Sequence, residues 1–180
     1  MPHICDWRHN YLIGSWLRRL FHPPARLLSG YLRPGMIVLD AGCGMGLYSL
    51  PMAAMVGETG KVIAVDLQPE NLEVLMSRAR KIGLAGRIEP VACDMGVLPV
   101  QEKIDFALAF YSVHEVPEQG RFFRRAAQLL APQGYLLVVE PKFHVNGKAF
   151  EQTLAEARQA GLNPVGRPGI LASYTALLEK

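Results

Sequence analysis

Long apolar runs are missing from this sequence, and no stretch approaches the ~18 residues that a membrane-spanning helix requires. Stable membrane insertion is therefore not expected. The apolar segment Tyr11 to Phe21 is broken by Arg18 and Arg19 and has no small-residue cleavage site, so it does not read as a secretory signal. Cysteine is scarce. Cys5, Cys43 and Cys93 are odd in number and form no C-x-x-C pair, which argues against a disulfide framework or a zinc knuckle and suits a reducing, cytoplasmic setting. His3, Cys5 and His9 lack a fourth ligand at zinc spacing, and no metal site is expected. An excess of one charge is also lacking: 19% of the residues are charged and the net charge is +3. That surplus sits in residues 1–33, where five arginines face Asp6 alone. No run interleaves basic and aromatic side chains, so nucleic acid is not an expected partner.

What is present is half apolar residues in a chain of 180, enough for one domain with a full core. Short β-branched or apolar runs alternate with helical patterns, the signature of successive βα units. Strand candidates are Met36–Ala41, Lys61–Asp66, Arg87–Ala92, Ile104–Phe110 and Tyr135–Glu140, with weaker ones at Asn163–Arg167 and Ser173–Leu178. Their nearly continuous apolar character predicts a doubly wound, mostly parallel sheet with helices on both faces. Helices are expected at Leu47–Val56, Pro69–Ile82, Pro117–Leu130 and Gly147–Ala160, the second and third opening with proline in the first turn. Residues 1–34 read as a helical cap, with an amphipathic stretch Asn10–Phe21 and a short helix Ala25–Leu32; residues 35–180 read as the α/β core.

The strongest local signal is Asp40-Ala41-Gly42-Cys43-Gly44-Met45-Gly46, between the first strand and a helix. Glycines permit a tight turn and close approach of a ligand, and the helix start that follows offers unpaired N–H groups. Leu47 stands where a dinucleotide fingerprint needs its third glycine. Asp40 would repel a pyrophosphate but suits a cationic amino-acid group. Asp66 ends the second strand about 20 residues past the loop, the distance at which an acid reaches ribose hydroxyls.

With these residues in place the sequence resembles the class I methyltransferases that use S-adenosylmethionine (SAM), in its small-molecule branch of ubiquinone/menaquinone-type and arsenite-type enzymes. D-x-G-x-G-x-G resembles the first motif of that superfamily, and Leu130-Ala131-Pro132-Gln133-Gly134 resembles its L-x-P-G-G turn before strand five. The resemblance runs in order from residue 36 to about 141 and implies a Rossmann-like, seven-stranded methyltransferase fold with SAM as cofactor. It implies that Asp40, Gly42, Cys43, Gly44 and Gly46 line the amino-acid end and that Asp66 holds the ribose. Leu67, Asp94 and Met95 would then surround the adenine, with Phe110 at the end of strand four.

Methyl transfer from a sulfonium needs geometry and exclusion of water more than acid–base chemistry, and a base only where the acceptor carries a proton. Tyr111 and His114, after strand four, are the candidate catalytic residues, with His114 as base because its ordinary pKa lies near neutrality. Glu140, Lys142 and His144 share that sheet edge; Glu140 and Lys142 read as a solvated pair, and Glu115 reads as a cap for a helix at Pro117. Asp66 and Asp94 read equally well as caps of the helices after them. Phe110-Tyr111-Ser112-Val113 replaces the Asn/Asp-Pro-Pro-Tyr/Phe tetrad of amino-directed members, which leaves oxygen, carbon, sulfur or a metalloid in a small-molecule acceptor. Little is inserted after strand five, so Trp7, Tyr11 and Trp16, or a second subunit of a homodimer, would have to close the site. Two rivals stand beside this reading: an NAD(P)-dependent oxidoreductase and a SAM-binding module without catalysis.

Overall fold

The computed structural model describes residues 23–180; the predicted helix at Asn10–Phe21, the His3–Cys5–His9 grouping and the aromatic walls Trp7, Tyr11 and Trp16 lie outside them. Among the described residues seven strands form one sheet in the order β3-β2-β1-β4-β5-β7-β6. They are β1 (Ile37–Ala41), β2 (Lys61–Asp66), β3 (Ile88–Ala92), β4 (Ile104–Phe110), β5 (Leu130–Pro141), β6 (Asn163–Gly166) and β7 (Ser173–Glu179). Neighbours pair in parallel except that β7 runs against both β5 and β6. The expected doubly wound, mostly parallel sheet of seven strands is therefore present. Its order reverses between β1 and β4, the switch point where the carboxyl ends of strands leave a crevice for a ligand.

Among the described residues there are five helices: α1 (Pro24–Leu28), α2 (Ser49–Val56), α3 (Pro69–Lys81), α4 (Gln119–Leu129) and α5 (Gly147–Gln159). Two cores sandwich the sheet. One face packs Leu39, Ile63 and Val138 under Phe122, Phe123 and Phe150 of α4 and α5. The other packs Val38, Val62 and Phe106 under α1, α2 and α3, where Tyr31 stacks on Phe106 with ring centroids 5.3 Å apart. In α3, Leu72, Leu75 and Ala79 are buried, as their 3-4 spacing predicts, and Pro69 opens the first turn. Glu70 in that turn and Arg78, Arg80 and Lys81 in the last complement the helix dipole. No helix among the described residues is long and apolar enough to cross a membrane.

Several boundaries differ from those expected. Pro117 does not open α4; it lies in a turn after the extended residue Val116, and the helix starts at Gln119 behind Glu118. Strand β5 begins at Leu130 rather than Tyr135, because Leu130 already pairs with Ile104 and the register slips before Phe106 pairs with Tyr135. Gln133 there takes a left-handed φ of 66°, the conformation the family's glycine supplies without strain. Helix α2 starts at Ser49, two residues late, since the glycine bend uses up the chain before it. Strand β3 is not buried on both faces: Glu89, Pro90 and Ala92 are exposed, because β3 is the sheet edge, where proline's missing N–H costs no ladder bond.

Candidate functional site

The glycine bend leaves β1 at Gly42, whose φ is 76°. A Cβ there would lie 2.4 Å from the Cβ of Ser112, so only glycine lets the bend pass under the loop after β4. Ser112 Oγ donates to the Ala41 carbonyl at 2.9 Å, tying that loop to the end of β1. Gly44, with φ 52°, differs: a Cβ added to it would meet nothing within 4 Å, so the bend is open on that side. Gly46 packs close instead, against Leu75 of α3.

Asp66 anchors the bend. Its carboxylate accepts from Gly44 N–H at 2.7 Å, Gln68 N–H at 2.9 Å and Asn71 Nδ2 at 3.0 Å. It thus ties the glycine bend to the residues that lead into α3, whose N-cap position itself is Gln68 without a side-chain cap. Asn71 is buried, and its Oδ1 has no hydrogen-bond partner among the described residues. Arg78 closes the outer side by donating to the Met45 carbonyl at 3.0 Å.

Asp40 is 2% exposed and accepts from Ser49 Oγ at 2.5 Å. Burial pushes its pKa up to about 7, with the Asp66 charge adding to the rise and the Ser49 hydrogen bond opposing it. A nearby cation would favour the ionised form. Cys43 is buried with its thiol pKa raised well above the ordinary value, chiefly by burial, and Cys93 is shifted the same way. Neither is poised as a thiolate. Among the described residues no three His, Cys, Asp or Glu side chains converge as a metal site.

The adenine-side candidates are placed unevenly. Leu67 is 50% exposed directly after β2, an apolar side chain left open at the edge of the crevice. Met95 and Phe110 are both buried, and Phe110 packs against Tyr48 and Tyr111 with centroids 4.5 and 4.3 Å away. Asp94 is exposed and does not cap a helix, because no helix follows β3; its Oδ1 accepts from Gly96 N–H at 2.6 Å and shapes a turn.

At the ends of β4 and β5 the structure overturns two readings. Glu140 and Lys142 are not a solvated pair: Glu140 is 1% exposed, while Lys142 is exposed and lies over the Tyr174 ring. β5 is buried on both faces from Leu136 to Pro141, and Glu140 meets the Val113–Glu115 turn. Glu115 ends that 3-10 turn instead of capping α4, whose cap position is Glu118. His114 Nδ1 lies 2.5 Å from Glu140 Oε2, and Oε1 accepts from the backbone N–H of Val113 at 2.9 Å and of His114 at 3.3 Å. Burial of the imidazole opposes its charged form, but the hydrogen bond and charge of Glu140, with the charge of Glu115, outweigh it; the pKa lies above the ordinary histidine value. Tyr111 holds a left-handed φ of 58°, and its hydroxyl pairs with Ser173 Oγ on β7 at 2.7 Å. His144 stacks on His114 at 5.8 Å, and the exposed Phe143 contacts both His144 and Tyr111.

Sequence reasoning missed Ser49, Asn71, Ser173 and the buried role of Glu140. Ser49 and Asn71 were findable, as polar residues in the first turns of helices beside the motif acids. Ser173 was not, since it reaches Tyr111 from 62 residues away through an antiparallel strand.

Comparison with known proteins agrees with this geometry. Residues 32–163 match the family described as the methyltransferase domain. The chain is 34% identical over 132 residues to the ubiquinone/menaquinone biosynthesis C-methyltransferase UbiE of Salmonella arizonae, covering 73% of this chain and 52% of that protein. The chain thus spans about half the length of that relative. A SAM-dependent methyltransferase from Aquifex aeolicus shares the fold with a TM-score of 0.85 and 24% identity, over 97% of this chain and 98% of the other. Fibrillarin from Aeropyrum pernix, solved with natively bound SAM, does so at a TM-score of 0.69 and 19% identity, over 86% and 73% of the two chains. The sheet order, the glycine bend with its paired aspartates and the match across residues 32–163 lead to one conclusion: the chain belongs to the class I SAM-dependent methyltransferases.

Proposed function

We propose that the protein transfers a methyl group from SAM to a small-molecule acceptor, in the cytoplasm and without nucleic acid as a partner. The observation that carries this reading is the Asp66–Gly44 contact across the carboxyl ends of β1 and β2, with the open side of Gly44 beside it. The residues fit the cofactor. The open flank of Gly44 is a space a Cβ would fill, and the donors on Asp66 leave acceptor capacity for a ribose hydroxyl. Asp40 is a buried carboxyl whose ionisation an ammonium group would favour. In this arrangement Asp40 and the bend from Gly42 to Gly46, including Cys43, would hold the amino-acid end; Asp66 would hold the ribose. Leu67, Asp94 and Met95 would border the adenine, and Phe110 would close the far side.

SAM supplies an activated methyl group as a sulfonium. The chain's own task is then to hold the acceptor in line and keep water out. Tyr111 and His114 would line the acceptor side, Tyr111 as a wall pinned by Ser173 and His114 as the base where the acceptor carries a proton. That the Salmonella relative is a C-methyltransferase makes carbon acceptors the first to assay.

A thermal-shift series with S-adenosylhomocysteine (SAH) and NAD tests the cofactor assignment, and stabilisation by SAH alone is the expected result. Incubating the enzyme with methyl-labelled SAM and fractionated extract tests the reaction. Label in one small-molecule fraction is expected; SAH binding with no label in any fraction would reduce the protein to a binding module.

A further inference from the structure

Glu140 takes no part in the cofactor cradle, yet its buried carboxylate spends both oxygens on a single turn. Oε1 accepts the N–H groups of Val113 and His114, and Oε2 meets the imidazole at Nδ1. Burying a carboxylate costs several kcal/mol unless its oxygens are paired, and here three donors from one turn pair them. An ionised carboxylate can only accept. Nδ1 therefore carries hydrogen whether the ring is neutral or charged, and the neutral ring keeps its lone pair on Nε2.

We propose that Glu140 is a positioning residue that fixes His114 in the Nδ1–H form, so that Nε2 takes the proton of a protic acceptor: an acidic O–H, S–H or activated C–H. The inference rests on the methyltransfer reading above and narrows its substrate class. The acceptor gives its proton to Nε2, the pair of electrons so freed forms the bond to the methyl carbon, and the pair of the old carbon–sulfur bond stays with sulfur. The imidazolium that results is opposite the charge of Glu140. A metalloid or thioether acceptor carrying no proton would have no use for this pair.

Three groups on the described elements bear on the titration of His114: Glu140 from β5, Glu115 on its own turn and the stacked ring of His144 after β5. The two carboxylates favour the imidazolium, and a protonated His144 opposes it.

The test is ring-nitrogen NMR on the full chain with SAH present. The His114 signals are identified by their loss in His114→Asn, and His144→Gln removes the neighbour's titration. In the wild-type protein, neutral His114 is expected to carry hydrogen on Nδ1 and a bare Nε2. Glu140→Gln still accepts the two backbone N–H groups but offers an amide donor to Nδ1. It is expected to move the hydrogen to Nε2 and lower the midpoint of titration. Labelled methyl transfer to the fraction the wild type modifies should fall about 100-fold or more, with SAH affinity within about threefold. A wild-type neutral ring protonated on Nε2 overturns the proposal, whether or not the variant folds. So does a Glu140→Gln protein that loses thermal stability but keeps the wild-type tautomer and transfer rate. Failure of the wild type to bind SAH would instead strike the cofactor reading, while the tautomer still decides the role of Glu140.

Discussion

On the β1–β3 side of the carboxyl edge, Asp66 accepts from Gly44, Gln68 and Asn71, groups that carry no charge and change none with pH. On the β4–β5 side, Glu140 accepts from two backbone N–H groups and from an imidazole, a group that does change its charge with pH and whose pKa is raised above the ordinary histidine value. Both carboxylates are nearly sealed from water. The first ties the glycine bend to α3 through bonds of fixed polarity, which suits the proposed SAM site. The second holds an imidazole at the proposed acceptor side. Asp40 stands between these cases, a cradle acid whose own ionisation is poised near pH 7.

The largest break in this contrast should come from Asp66→Ala. Three of the carboxylate's roughly four acceptor sites are already filled, which leaves one for a ribose hydroxyl. Losing that bond to a charged acceptor is worth about 1.5–3 kcal/mol and predicts a ~10- to 100-fold loss of SAH affinity by calorimetry. Affinity within threefold of wild type would show that Asp66 serves only the start of α3.

Asp40→Asn should come next and act in opposite directions on stability and binding. The folded pKa of Asp40 is raised from 3.8 to about 7, so its contribution is fully present below pH 3.8 and is lost as pH rises through 7. The cost above pH 7 is on the order of 4 kcal/mol, which the asparagine variant avoids. Denaturant unfolding at pH 8 should find the variant more stable than wild type, with the gap closing toward pH 4. SAH affinity should drop about tenfold in the same variant, and the wild-type affinity should rise from pH 6 to 8 as Asp40 ionises. A variant less stable at pH 8 would mean that the buried carboxyl is satisfied without a ligand.

His114→Gln should leave SAH affinity unchanged, which separates the two halves of the edge. The raised pKa of His114 gives stability present below its unfolded value of 6.5 and lost as pH rises through the folded one. The wild-type advantage over His114→Gln should therefore shrink as pH rises above 6.5, and a constant gap would show that the ring does not titrate there. Smallest of all is Ser173→Ala. It removes the 2.7 Å partner of the Tyr111 hydroxyl, with a cost of about 1 kcal/mol in unfolding and no effect on SAH. A loss of SAH binding in that variant would tie the acceptor side to the cradle more tightly than the geometry does.

The same division separates what could be read from the sequence from what could not. The glycine bend and the acid beside it were legible because they lie on consecutive βα units: Gly42 to Gly46 follow β1 directly, and Asp66 ends the next strand. Glu140 was misread because its neighbours in the chain, Pro141 and Lys142, gave no sign that the side chain faces another strand's loop. Its partners lie 26 and 27 residues away. Pro117 misled for a similar reason. Proline favours a first helical turn, but it equally suits the turn that α4 uses before its start.

By itself the sequence determined the alternation of strands and helices, the parallel core of the sheet and the glycine bend with its two flanking acids. Each is set by side-chain period or by a residue's own backbone freedom, which act over a few positions. Only the tertiary structure decided that Asp40 is sealed under Ser49, that Gly42 must pass within reach of Ser112, and that Glu140 grips His114. Those outcomes depend on which strands lie side by side and which way each side chain turns. Burial and charge neighbours follow from that placement, and they set how strongly each group holds its proton.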